Sequence, residues 1–95
     1  MSVAVVHEPE HHRFVAHVAG GDALLLYSRP DDRTIDLEHT EVPTTARGTG
    51  VADLLTKAAI DYARANKLRV IPTCPFTRKW LARHPEAADV VAQRP

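Results

Sequence analysis

The chain alternates polar and apolar positions in its first half and becomes helically periodic in its second. Arg13–Ala19 reads RFVAHVA, with Phe14, Ala16 and Val18 on one side and Val15 and His17 on the other. A period of two predicts a strand. Gly20-Gly21-Asp22 supplies hairpin chemistry, because glycine takes positive φ without a Cβ clash. Asp22–Arg29 holds the unbroken apolar run Ala23-Leu24-Leu25-Leu26-Tyr27, the pattern of a strand covered on both faces. Pro30-Asp31-Asp32 predicts a turn. Arg33–Val42 alternates again: Ile35, Leu37, His39 and Glu41 share one face, and Thr34, Asp36, Glu38 and Thr40 the other. The three strands are expected to form an antiparallel meander. Ahead of them, the apolar run Val3–Val6 predicts a short strand or ordered arm, broken at Glu8-Pro9-Glu10.

From about Thr49 to Asn66 the period lengthens. Val51, Leu54, Leu55, Ala58, Ala59 and Tyr62 fall on one helical stripe, while Asp53, Lys57, Asp61 and Arg64 lie largely off it. Asn66 is placed to be a left-handed cap. Leu68–Pro72 reads as a short buried strand. Strand, helix and strand at this spacing make a βαβ unit, so segments 33–42 and 68–72 are expected to run parallel with a right-handed crossover. Phe76–Arg83 predicts a short helix with Phe76 and Trp80 one turn apart, and Pro85–Ala92 a last helical turn or two. Phe76, Trp80 and Tyr62 read as core. The expected fold class is therefore mixed α/β: an antiparallel meander joined to one parallel βαβ strand, with short C-terminal helices, in a single domain over 1–95.

Composition narrows the function classes. Twelve basic and twelve acidic side chains cancel among 95 residues, which gives no electrostatic footprint for nucleic acid or an anionic membrane. A single cysteine forms no internal disulfide and suits a reducing compartment. No basic leader followed by an apolar stretch opens the chain, and no run approaches the ~20 apolar residues of a membrane span. A cytoplasmic location is expected.

The segment that carries chemistry is Glu38–Ala63, where a strand passes through Arg47-Gly48-Thr49-Gly50 into the long helix. The first N–H groups of a helix lack internal partners and carry partial positive charge, so they form a ready anion site. Glycines 48 and 50 let a bulky phosphate-bearing ligand approach the backbone. The spacing is neither that of a P-loop nor G-x-G-x-x-G, since position 53 is Asp. Asp53, on the second turn, disfavours a phosphate, whereas Arg47 offers a charge-assisted donor. Cys74 follows the carboxyl end of a parallel strand, the rim at which open α/β sheets bind ligands. A reactive thiol there needs a base or a positive neighbour. His39 sits on the apolar-facing side of its strand three residues before Val42, roughly 10 Å along it. His39 and Glu41 share a face, and either is open to a general-base role. His7, His11, His12 and His17 have no matching ligand pattern, and HEPEHH reads as an exposed turn, so no metal is expected.

Arg47, Gly50 and Ala52 resemble motif A of the GNAT acetyltransferase superfamily: Gln or Arg, two residues, Gly, one residue, then Gly or Ala. The wider run HTEVPTTARGTGVADLL, followed by VIPTCPFTRKWLARHPEAADVV, resembles the minimal single-domain GNAT-like acetyltransferases. The resemblance covers Glu38–Val91 and, by layout, the first two long strands. It implies a GNAT-like fold and acetyl-CoA as cofactor, with the pyrophosphate on backbone N–H groups of Arg47, Gly48, Thr49, Gly50, Val51 and Ala52. It places the pantetheine beside the 39–42 strand, along Glu41 and Val42, in a cleft where that strand splays from 68–72. It assigns His39 and Cys74 to the acetyl end. Typical members insert two helices where this chain has Gly20-Gly21, and the usual last two strands do not follow. The open acceptor side suits a protein tail or exposed lysine. The implied activity is acetyl transfer from acetyl-CoA to an amine. A non-catalytic CoA- or acyl-CoA-binding interaction module is the alternative, and a thiol redox protein acting through Cys74 a third.

Overall fold

A computed structural model describes residues 4–92. Its sheet runs in chain order: β1 (Val5–Glu8), β2 (Arg13–Val18), β3 (Gly21–Asp31), β4 (Thr34–Glu41) and β5 (Arg69–Pro72). Neighbours are antiparallel through β4, and β5 lies parallel to β4. Helix α1 (Val51–Ala65) makes the crossover, and α2 (Pro75–Arg83) follows β5. The mixed sheet, the meander and the βαβ unit are those expected from the alternation. Val3 of the expected first strand lies outside the described residues. Pro30 belongs to β3 rather than to a turn. The β3–β4 ladder skips between Ser28 and Asp31, so a residue without an N–H leaves no pairing unmet.

One apolar cluster holds the molecule together. Phe14, Ala16, Ala23, Leu25, Tyr27, Ile35 and Leu37 of the sheet meet Val51, Leu55, Ala59, Ile60 and Ala63 of α1 and Trp80 of α2. Strand β3 is thus not covered equally on both faces. Ala23, Leu25 and Tyr27 are buried, whereas Leu24 and Leu26 are only half-buried. On α1 the buried stripe centres on Leu55, Ala59 and Ala63, which leaves Leu54 exposed. The left-handed residue that ends this helix is Lys67 (φ 57°), not Asn66 (φ −104°). Asn66 instead returns its side-chain amide to the Tyr62 carbonyl at 2.9 Å, which satisfies one of the helix's last carbonyls.

The histidine-rich segment is partly structural. His7 stacks on Phe14 with ring centroids 4.2 Å apart, and its Nε2 lies 2.7 Å from the Tyr27 hydroxyl. Burial lowers its pKa against a smaller opposing pull from Glu10, because an imidazolium is poorly solvated among aromatic rings. His11 ends an exposed 3-10 turn, Pro9–His11.

A β-bulge in β4 sets the site. Leu26 pairs with His39 and Tyr27 with Leu37, so Glu38 is the extra residue. Each residue beyond the bulge changes face. Thr40, opposite buried Leu25, joins the helix-covered face, and His39, opposite Leu26, turns to the other. The expectation that His39 shares a face with Ile35 and Leu37 is overturned for this reason. The β4–β5 ladder ends at Leu37 and Pro72, with one further bond from the Cys74 N–H to the Leu37 carbonyl at 2.9 Å. Among the described residues, no strand lies on the β5 side of β4 beyond Leu37.

Candidate active site

A cleft of about 950 Å³ opens along this free end of β4 and continues to the start of α1. Residues 39–43 form one wall, the 46–50 loop and the first turn of α1 the next, and Phe76 and Arg83 of α2 the third.

The loop is held from behind. Thr44–Ala46 makes a 3-10 turn with Ala46 buried. Thr45 Oγ1 donates 2.8 Å to the Ala19 carbonyl in the β2–β3 hairpin. Gly20, at φ 88°, lies so close that a Cβ there would overlap the Thr45 hydroxyl. Gly20 therefore serves close approach between hairpin and loop as well as turn geometry, which no local pattern reveals.

At Gly50 the backbone is left-handed, φ 86°, and no side chain caps α1. The first helical bond runs from the Leu54 N–H to the Gly50 carbonyl at 3.1 Å. Among the described residues the N–H groups of Val51, Ala52 and Asp53 have no backbone or side-chain acceptor, nor do those of Gly48 and Gly50. A Cβ added at Gly48 or Gly50 would meet nothing within 4 Å. Arg47 and Thr49 differ from expectation: their N–H groups close the loop's own turns, on the Thr44 and Ala46 carbonyls, each at 3.3 Å. The free donors are thus Gly48 and Gly50–Ala52, together with Asp53. Asp53 lies in the first turn of α1, not the second, and its Oδ1 is 3.7 Å from Nη2 of Arg83. The two side chains are more than half exposed and face each other beyond hydrogen-bond distance.

At the other end, His39 and Glu41 are both exposed at 58% and in contact, Nε2 to Oε1 3.4 Å. Val42 is half-buried beside them. Cys74, 5% exposed, lies one layer back from the cleft, its Sγ 3.6 Å from Oγ1 of lining Thr40. Burial pushes the thiol pKa up. Donors outweigh it and leave the thiol below its ordinary value: the Thr77 N–H, the Thr40 hydroxyl and the Phe76 N–H. The buried Thr77 hydroxyl, without a hydrogen-bond partner otherwise, adds a weaker pull of the same sign. Cys74 is the N-cap residue of α2, so these donors are the unpaired amides of a helix start. Sequence reasoning placed Asp22 in a hairpin and Arg83 at a helix end, with no part in the site, yet both line the cleft, as does Phe76, which also packs against the core.

A chain described as a GCN5-like protein from Staphylococcus aureus, solved by NMR, superposes with a TM-score of 0.69 over all of this chain and 94% of its own, at 24% identity. That likeness shows the fold. The sequence profile described as GCN5-related N-acetyl-transferase matches residues 13–90, which takes in β2–β4, the loop, α1, β5, α2 and the final 3-10 turn, Pro85–Val90. The chain belongs to the GCN5-related N-acetyltransferase family. Within this family it is similar to Protein NATD1 of Xenopus tropicalis, 36% identical over 88% of this chain and 79% of the relative. Protein NATD1 of Homo sapiens is 35% identical over 87% and 75%. An acetyltransferase-type function follows from that membership. In this chain the sheet is open where β4 leaves β5, and the free amides of α1 stand at the end of that opening.

Proposed function

We propose that the chain is an acetyl-CoA-dependent N-acetyltransferase whose acceptor is an amine of a protein tail or an exposed lysine. One observation carries the reading: an uncapped helix start with unpaired N–H groups opens into the same cleft as the unpartnered edge of β4. The residues present fit the cofactor. Gly48, Gly50, Val51 and Ala52 offer backbone donors to a pyrophosphate, with Arg47 as a cationic neighbour. The edge of β4 from His39 to Val42 offers a track for an amide-bearing pantetheine arm. Glu41 and Val42 flank it, and Thr49 supports the loop from within. Acetyl-CoA supplies an acetyl group activated as a thioester.

In this reading His39 would accept the amine proton as the new N–C bond replaces the C–S bond and the CoA sulfur leaves as thiolate, and Glu41 would orient the imidazole. Cys74 shapes the floor through Thr40. The lowered thiol pKa favours a second reading, in which Cys74 carries the acetyl group transiently. Its burial behind Thr40 favours the first. The open side beyond the Gly20-Gly21 hairpin supports a macromolecular acceptor. No helix among the described residues is long and apolar enough to cross a membrane.

Thermal melts with acetyl-CoA and CoA test the binding half. At ligand about 100 times its dissociation constant, the fold is expected to gain about 2.7 kcal/mol. No shift with millimolar CoA would exclude the proposal. A shift without turnover on a panel of peptide amines would turn it into the binding-module alternative.

A further inference from the structure

We infer that Arg83 is a phosphate-recognising residue for the CoA reading above, on which this rests, and that Asp53 is the weak counter-charge it leaves when a phosphate enters the cleft. The two side chains come from opposite walls, Asp53 from the first turn of α1 and Arg83 from the last turn of α2. Both line the cleft and both are more than half exposed. Their closest approach, 3.7 Å, is beyond hydrogen-bond range, and among the described residues Arg83 makes no side-chain hydrogen bond. A guanidinium has five donors in a planar fork suited to phosphate oxygens. In Arg83 that fork is left almost wholly unused.

The electrostatics give the pair opposite roles. Asp53 stands in the same first turn as the free amides of Val51 and Ala52, so its charge opposes any phosphate drawn to them. Unpaired, it would weaken the anion site. Arg83 offsets part of that charge and adds a cation to the cleft that Arg47 also lines. A phosphate entering the cleft can take the Arg83 fork with little loss, because an exposed ion pair at this distance is weak. The cleft then holds a phosphorylated ligand between two guanidiniums and the helix start. The ligand class is the phosphate-bearing nucleotide half of CoA rather than its thiol arm.

An ion pair that only braces α1 against α2 gives its two halves the same mutational effect. A ligand-reading pair gives them opposite effects. The experiment measures dissociation constants of CoA, 3′,5′-ADP and pantetheine by calorimetry for the parent, Arg83→Ala and Asp53→Asn, with a melt of each free protein. Arg83→Ala is expected to weaken CoA and 3′,5′-ADP about tenfold or more, as loss of a charge-assisted contact does. Asp53→Asn is expected to tighten both about two- to fivefold through removal of a nearby like charge. Pantetheine binding should change less than about twofold in either variant, since it lacks the charge being read. Unchanged CoA affinity in Arg83→Ala, or equal weakening in both variants, would overturn the inference and leave the CoA proposal standing. A parent that binds neither CoA nor 3′,5′-ADP would overturn both.

Discussion

His39→Ala is expected to lower acetyl transfer by roughly 10²–10⁴-fold while CoA affinity stays close to that of the parent. The bulge at Glu38 produces this separation. It turns His39 out of the core and into the cleft, 58% exposed, where it meets Glu41 rather than any part of the phosphate loop. In the proposed reading, removing the imidazole costs the proton acceptor and leaves Gly48, Gly50 and α1 untouched. Glu41→Gln is expected to fall between parent and His39→Ala, because it keeps the side chain's size and loses its charge. Steady-state rates with a saturating amine, alongside equilibrium CoA binding, make the check. Full turnover in His39→Ala would remove it from the chemistry. The same assay sorts the Cys74 readings. If Cys74 only shapes the floor, Cys74→Ala keeps most turnover and the parent gains no acetyl mass without acceptor. An acetylated Cys74 that passes its group on at the turnover rate would replace that reading.

Gly50→Val carries the second large effect. The backbone there is left-handed, a conformation that costs an L-residue about 1–2 kcal/mol, and more when it is β-branched. Valine thus pulls the N-cap toward ordinary φ and turns the amides of Val51 and Ala52 away from the cleft, while its side chain stands in the space a ligand would use. Losing two charge-assisted hydrogen bonds at about 1.5–3 kcal/mol each lowers CoA affinity roughly 100-fold or more. The apolar cluster does not include Gly50, so the fold is expected to survive with a modestly lower melting temperature. Calorimetric titration with CoA beside a melt separates the two effects. Parent-like affinity in Gly50→Val would mean that phosphates do not lie at this helix start.

The sequence was legible wherever a local period decided the structure. Alternation located β2 and β4, the helical stripe located α1, and motif A located the loop. The failures have a common cause in contacts between distant segments. One extra residue at Glu38 reverses the parity of everything after it, and no hydrophobic pattern marks that bulge because Thr40 and Glu41 are both polar. The role of Gly20 depends on Thr45, twenty-five residues later, which only the packed loop brings to it. Arg83 lies thirty residues beyond Asp53 and follows no motif, so its place on the cleft wall becomes visible only when α2 folds back beside α1. Cys74 was legible as a residue at the rim. Its contact with Thr40 and its donors from α2 were not.

The claim on which the rest depends is that a CoA ligand occupies the free amides at the start of α1 and the open edge of β4. Amide-resolved NMR titration of the ¹⁵N-labelled chain with acetyl-CoA addresses it residue by residue. The expected result is a saturable shift of the Gly48, Gly50, Val51 and Ala52 signals, with the 39–42 signals moving at the same ligand concentration and those of β1 and the Pro85–Val90 turn staying in place. Saturable binding that leaves the 48–52 amides unmoved would contradict it.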